Sequence, residues 1–119
     1  MPEQSPLLNV TADGDVTVVE LTDRKILDEI SISQIGEQLA SLLSPAANPK
    51  MVMDFAHVVH MSSSALGMLI TLHKRVREKG GQLRLCNIQP SILEVFLITR
   101  LNEIFSIAKS RQEALASLA

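Results

Sequence analysis

Met51-Val52-Met53-Asp54-Phe55 leads through Ala56-His57-Val58-Val59-His60-Met61 into Ser62-Ser63-Ser64-Ala65-Leu66-Gly67, and this passage decides the fold. Its opening residues are mostly apolar and too few for a helix, which reads as a short strand. From Ser63 to Lys79 the period changes. Leu66, Leu69, Ile70, His73 and Val76 recur at three- and four-residue steps and so share one helical face. Gly80-Gly81 offers the left-handed residue that closes such a helix, and Leu83 to Cys86 forms the next strand. A strand, a helix and a second strand in this order predict two parallel strands joined by a helical crossover.

The alternation extends in both directions. Upstream, the β-branched segments Leu7 to Thr11 and Val16 to Leu21 flank Ala12-Asp13-Gly14-Asp15, whose Asp-Gly supplies the positive φ of a tight hairpin turn. A polar stretch, Thr22 to Asp28, precedes a helix marked by Ile32, Ile35, Leu39, Leu42 and Leu43, with Ser31 or Ser33 as its cap. Ser44-Pro45-Ala46-Ala47-Asn48-Pro49 ends that helix. Downstream, Pro90 suits the first turn of a helix over Ser91 to Thr99, Ile104 to Ile107 an edge strand, and Ser110 to Leu118 a last helix. The expected architecture is α/β: one domain over residues 7–119, after a flexible, proline-bearing lead-in at residues 1–6. A mixed sheet of four to five strands, with an N-terminal hairpin and parallel later strands, packs with about four helices.

Composition narrows the function. At 119 residues, 46% hydrophobic and 20% charged, the chain can bury one core and is too apolar for disorder. A formal charge of −2 with scattered basic residues argues against nucleic acid and against a membrane surface. With no Trp, no Tyr and three Phe, it lacks platforms on which bases or sugars stack. A single cysteine, Cys86, excludes an internal disulfide and reads as a small buried hydrophobe. No stretch approaches the roughly 18 apolar residues of a membrane span, and the first residues lack the basic start and apolar core of a signal peptide. A cytoplasmic protein without direct membrane insertion is expected.

Serines at a helix start have an ordinary use, since their hydroxyls accept hydrogen bonds from the first free backbone amides. They also have a regulatory one. A helix N-terminus tolerates a phosphate, and phosphoserine changes the local charge by about −2, enough to switch a contact surface.

Val52-Met53-Asp54-Phe55, Val58 and Met61-Ser62-Ser63-Ser64-Ala65-Leu66-Gly67 together resemble the phosphorylation-site segment of anti-sigma factor antagonists of the STAS-domain type. There a strand leads into Asp-Ser-Ser or Asp-Ser-Ala followed by Gly-Leu-Gly. The likeness continues through Gly80-Gly81-Gln82-Leu83-Arg84-Leu85-Cys86-Asn87-Ile88-Gln89-Pro90 to Val95, Leu101, Ile104, Phe105 and Ile107, and includes Leu27-Asp28 upstream. The resemblance implies a STAS fold and a binding protein, not an enzyme, with no cofactor. The unphosphorylated antagonist would bind an anti-sigma factor that is also a serine kinase. Phosphorylation would end that binding, and a phosphatase would restore it. Ser63 aligns with the phosphoserine, and Asp23, Asp28, Ser62, Ser63 and Ser64 are the implied partner-binding residues.

Three positions depart from the pattern. Ser62 stands for the Asp before the phosphoserine, leaving three adjacent hydroxyls; Ala65 stands for a Gly; Arg100 stands for the Gly of Thr-Gly-Leu. A left-handed Arg100 would cost roughly 1 kcal/mol relative to Gly. The Ser62 departure leaves open a STAS adaptor that is never phosphorylated, in a signalling assembly or a lipid-transporter complex. His57 and His60 lack a third ligand for a metal, and no Gly-x-Ser-x-Gly elbow supports a serine nucleophile. Met68 and Leu72, like Leu93 and Leu97, read as the edges of wide buried stripes or else as interface, and Met68 is counted with the partner-binding residues on the second reading.

Overall fold

The computed structural model describes residues 8–43 and 48–118. The lead-in expected at residues 1–6, and most of the break expected at Ser44 to Pro49, lie outside them. Five strands form one sheet in the order β1-β2-β4-β6-β7, where β1 is Leu8–Asp13, β2 Val16–Leu21, β4 Lys50–Asp54, β6 Gln82–Cys86 and β7 Ser106–Ala108. β1 and β2 are antiparallel; the other neighbours are parallel. The hairpin turn is tighter than the sequence suggested. Asp13 pairs with Val16, so only Gly14 and Asp15 turn, with Gly14 at φ 63° supplying the backbone that a side chain disfavours.

Both faces of the sheet are covered. Val19, Leu21, Met51, Met53, Leu83 and Leu85 face α1 (Glu29–Leu43), α2 (Ser63–Glu78) and α3 (Pro90–Ile98) across the main core. The alternate residues Val16, Val18, Val52 and Cys86 face Ala114 and Leu118 at the C-terminal end, where α4 is Arg111–Ala116. This explains why β4 is buried from Met51 through Asp54 without a break: a central parallel strand has no solvent side. Burial, helped by the nearby Asp54 charge and opposed by Arg111, pushes the Cys86 thiol up to about 12, so it is an inert packing element.

Several local readings change. Asp28, not Ser31 or Ser33, caps α1: its Oδ2 accepts from the Ser31 backbone N–H at 2.9 Å and the Ser31 hydroxyl at 3.1 Å. On α2 the fully buried face is Ala65, Leu69, Leu72 and Val76, with Leu66, Ile70 and His73 half-buried beside it. On α3 only Ile92 and Phe96 are buried; Leu97 is 54% exposed and belongs to no stripe. Residues Leu101–Glu103 form a 3-10 turn, so the last strand starts later than the expected Ile104. Within Thr22 to Asp28 lies a short strand, β3 (Lys25–Ile26), that pairs in parallel with β5 (His60–Met61) as a separate two-stranded sheet.

Arg100 does adopt the left-handed conformation, at φ 63° and ψ 21°, between α3 and the 3-10 turn. Its exposed pairing with Glu103 offsets little of that cost. Arg100→Gly is expected to stabilise the fold by about 0.5–1 kcal/mol, read as a higher urea midpoint with an unchanged slope; a lower midpoint would show that the pairing matters more than the backbone.

His73 touches the ring of Phe105 edge-on, centroids 5.3 Å apart. Burial first and the Arg77 charge second hold its imidazole below the ordinary 6.5. The unfolded chain therefore takes up this proton at higher pH than the native chain does. The stability involved is complete above pH 6.5 and is lost as pH falls through the lowered native value. His73→Gln should flatten this part of the stability profile, and an unchanged slope below that pH would assign it to other groups.

Candidate partner-binding site

The serine segment is positioned by the small sheet. Lys25 pairs with His60 and Ile26 with Met61, and the Ser62 backbone N–H continues the pairing by donating to the Ile26 carbonyl at 3.0 Å. Leu27-Asp28 and Ser62-Ser63 then leave these paired strands side by side, and each pair opens a helix. The N-termini of α1 and α2 are thus brought to one end of the molecule, with Asp28 and the serines together.

The three hydroxyls have different situations. Ser62 is the N-cap of α2: its extended backbone lets Oγ accept from the Ala65 backbone N–H at 3.2 Å. An Asp at this position would make the same bond, so the departure at Ser62 keeps the cap while dropping a charge. Ser63 and Ser64, the first two helical residues, are exposed. Ala65 is buried within the helix, where its methyl packs into the main core.

Asp23 and Met68 lie elsewhere. Asp23 accepts from the Lys25 backbone N–H at 3.3 Å, at the far end of β3, where Arg24 O accepts from Val59 and His60. Met68 is half-buried and its Cγ would lie 3.5 Å from a Cβ on Gly36. It lines an open groove of about 310 Å³ between α1 and α2, with Ile32, Ser33, Gly36, Thr71 and Arg75 among the walls.

A second polar cluster, not anticipated from the sequence, anchors the loop that carries the serines. Asp54 is only 3% exposed. Its Oδ1 accepts from the Ala56 backbone N–H at 2.9 Å and from Asn87 Nδ2 at 3.1 Å. Its Oδ2 accepts from Arg111, at 3.0 Å from Nε and 2.9 Å from Nη2. Arg111 also lies 3.6 Å from Glu20 Oε2, which His57 Nε2 approaches at 3.3 Å. Gln89 Nε2 donates to the Ala56 carbonyl at 2.7 Å, so both polar groups of that peptide neighbourhood are tied to the sheet ends. Asn87 sits at φ 56°, a conformation its short amide tolerates. The signal for this cluster was available, since a carboxylate inside an apolar strand demands partners. Nothing local pointed to Arg111 as one of them.

Among the described residues, no three His, Cys, Asp or Glu side chains gather as metal ligands, and no helix is long and apolar enough to cross a membrane. His57 belongs to the Glu20 contact and His60 is exposed on β5.

Residues 8–114 match the STAS domain family. The anti-sigma-B factor antagonist of Bacillus subtilis is 26% identical over 101 residues, covering 85% of this chain and 91% of its own length. An anti-sigma-factor antagonist (STAS) domain protein from Planctomyces limnophilus superimposes with a TM-score of 0.84 at 27% identity, covering 94% of this chain and 97% of that one. The phosphorylated form of the Bacillus cell fate determinant SpoIIAA has the same fold, with a TM-score of 0.71 at 18% identity over 94% of this chain and 99% of its own. A mixed sheet entered by a hairpin, with a capped serine turn opening its second helix, and a match spanning nearly all the described residues make this chain a member of the STAS domain family.

Proposed function

We propose that this chain is an anti-sigma factor antagonist acting in the cytoplasm. In its unphosphorylated form it binds an anti-sigma factor with serine kinase activity; phosphorylation of Ser63 ends the complex and a phosphatase restores it. The observation that carries this reading is the division of labour among the serines. Ser62 holds the α2 cap and leaves Ser63 exposed on the first turn, beside the Leu27-Asp28 segment. The names of the relatives support the partner class, and the phosphorylated form of SpoIIAA supports the modification.

The switch is electrostatic. At the α2 N-terminus a phosphate is tolerated by free N–H groups and the helix dipole, so the folded state persists. A partner packed over that turn would bury a dianion without a counter-charge, at a cost of several kcal/mol, or a loss of about a hundredfold or more in affinity. Catalysis resides in the partners; this chain supplies the hydroxyl and the surface.

Pull-downs from the native host with wild-type and Ser63→Asp baits test the reading. Recovery of an ATPase-domain anti-sigma factor by the wild type alone is the expected result. Equal recovery of one partner by both baits, or recovery of transporter subunits, would replace the switch with an adaptor role.

A further inference from the structure

The sheet divides two apolar clusters that have no residue in common among those described. The larger one is closed by α1, α2 and α3. On the other face, Val16, Val18, Val52 and Cys86 are covered from the C-terminal end of the chain, by the buried Ala114 and Leu118 and the half-buried Leu115. α4 has six residues, where an isolated helix needs about 12–15 to persist, so it is a helix only while it is docked. Lifting it forfeits the smaller cluster alone, whereas unfolding the chain forfeits the larger one as well. The opening is the cheaper event.

Polar contacts pin both ends of this cover. Ser110 Oγ caps α4 by accepting from the Glu113 backbone N–H at 3.1 Å, and Arg84 Nε donates to Ser117 Oγ at 2.9 Å on the exposed side. Arg111 donates from Nε and Nη2 to Asp54 Oδ2. That carboxylate is buried and has a second duty, since its Oδ1 holds the Ala56 N–H at 2.9 Å where the loop to the serines departs. Lys109 and Ser110, which lie between β7 and α4 and belong to neither, supply the hinge.

We infer that α4 is a hinged cover that lifts from the sheet as a unit while the main core stays folded, and that Arg111 transmits its position to the serine loop through Asp54. Docked, α4 gives the carboxylate its cation and fixes the Ala56 end of the loop. Lifted, it leaves Asp54 hydrated and the loop looser, and it bares the Val16, Val18 and Val52 face together with Cys86. The linkage is reciprocal: whatever orders the loop also holds the cover down.

Cys86 is the single cysteine of the chain and lies under α4, so its labelling by an aromatic disulfide reagent in native buffer counts the openings. The full chain is used, at reagent concentrations where the rate is proportional to reagent. The opening constant should exceed the global unfolding constant extrapolated from urea. Ser110→Ala, which removes the α4 cap, should speed labelling about fivefold and speed amide exchange at Ala56 by the same factor. Ile35→Val, in the larger cluster, should lower the urea midpoint and leave both rates unchanged. Labelling that follows the urea midpoint in both variants, or an opening constant no larger than the global one, would overturn the hinged cover. Faster labelling of Ser110→Ala with unaltered exchange at Ala56 would overturn the link to the serine loop.

Discussion

Asp54→Ala is expected to destabilise the protein by about 2–4 kcal/mol. The substitution removes little volume, but it leaves the Arg111 guanidinium, the Asn87 amide and the Ala56 N–H without their common acceptor. A buried ion pair broken at one end costs about 3–5 kcal/mol, and the lower range applies because the Arg111 side chain is 39% exposed and recovers hydration. Arg111→Met should cost less, since Asp54 keeps its bonds from Ala56 and Asn87. In the double variant the two losses should fall short of their sum, by the coupling between residues 57 positions apart. Urea unfolding of the four proteins measures this. Additive losses would mean that the guanidinium adds nothing to the anchoring of α4.

Gly81→Ala is expected to cost about 3 kcal/mol or more. A Cβ at residue 81 would stand 2.2 Å from the Pro49 carbonyl oxygen and 2.7 Å from its ring. Neither group can retreat. The same Pro49 oxygen accepts the Gln82 N–H at 2.8 Å where β4 and β6 begin to pair, and the Gly81 N–H closes α2 on Val76 at 2.9 Å. Wild-type stability in Gly81→Ala would show that the β4–β6 approach is looser than these distances imply.

Much of the architecture is readable because each element carries its own period. β4 reads as buried on both faces from Met51-Val52-Met53, α2 ends at Gly80, whose φ is 73°, and Pro90 opens α3. Local pattern does not reveal what distant contacts decide. β3 and β5 are two residues each, far below any periodic signal, and exist because each offers the other its backbone. They are nevertheless what sets Leu27-Asp28 beside Ser62-Ser63. Asp28 shows the same limit from another side: it lies where the family resemblance places it, but its carboxylate is occupied in capping α1, a role given to serines in the sequence reading. Leu97 reads as core by spacing alone and is exposed, since a nine-residue helix offers room for only Ile92 and Phe96 against the sheet.

One phosphate on the outer side of the α2 first turn is expected to abolish partner binding while the fold stays intact. Calorimetric titration of a purified kinase-type anti-sigma factor, with a non-hydrolysable nucleotide, tests it directly against three samples: the unmodified chain and chains with phosphoserine at residue 63 or residue 41. Ser41 is exposed far along α1, so it controls for charge alone. Phosphoserine at residue 63 should weaken binding about a hundredfold or more, with an unchanged thermal midpoint, and the chain with phosphoserine at residue 41 should bind like the unmodified one. Equal affinity of the unmodified chain and the chain phosphorylated at residue 63 would contradict it.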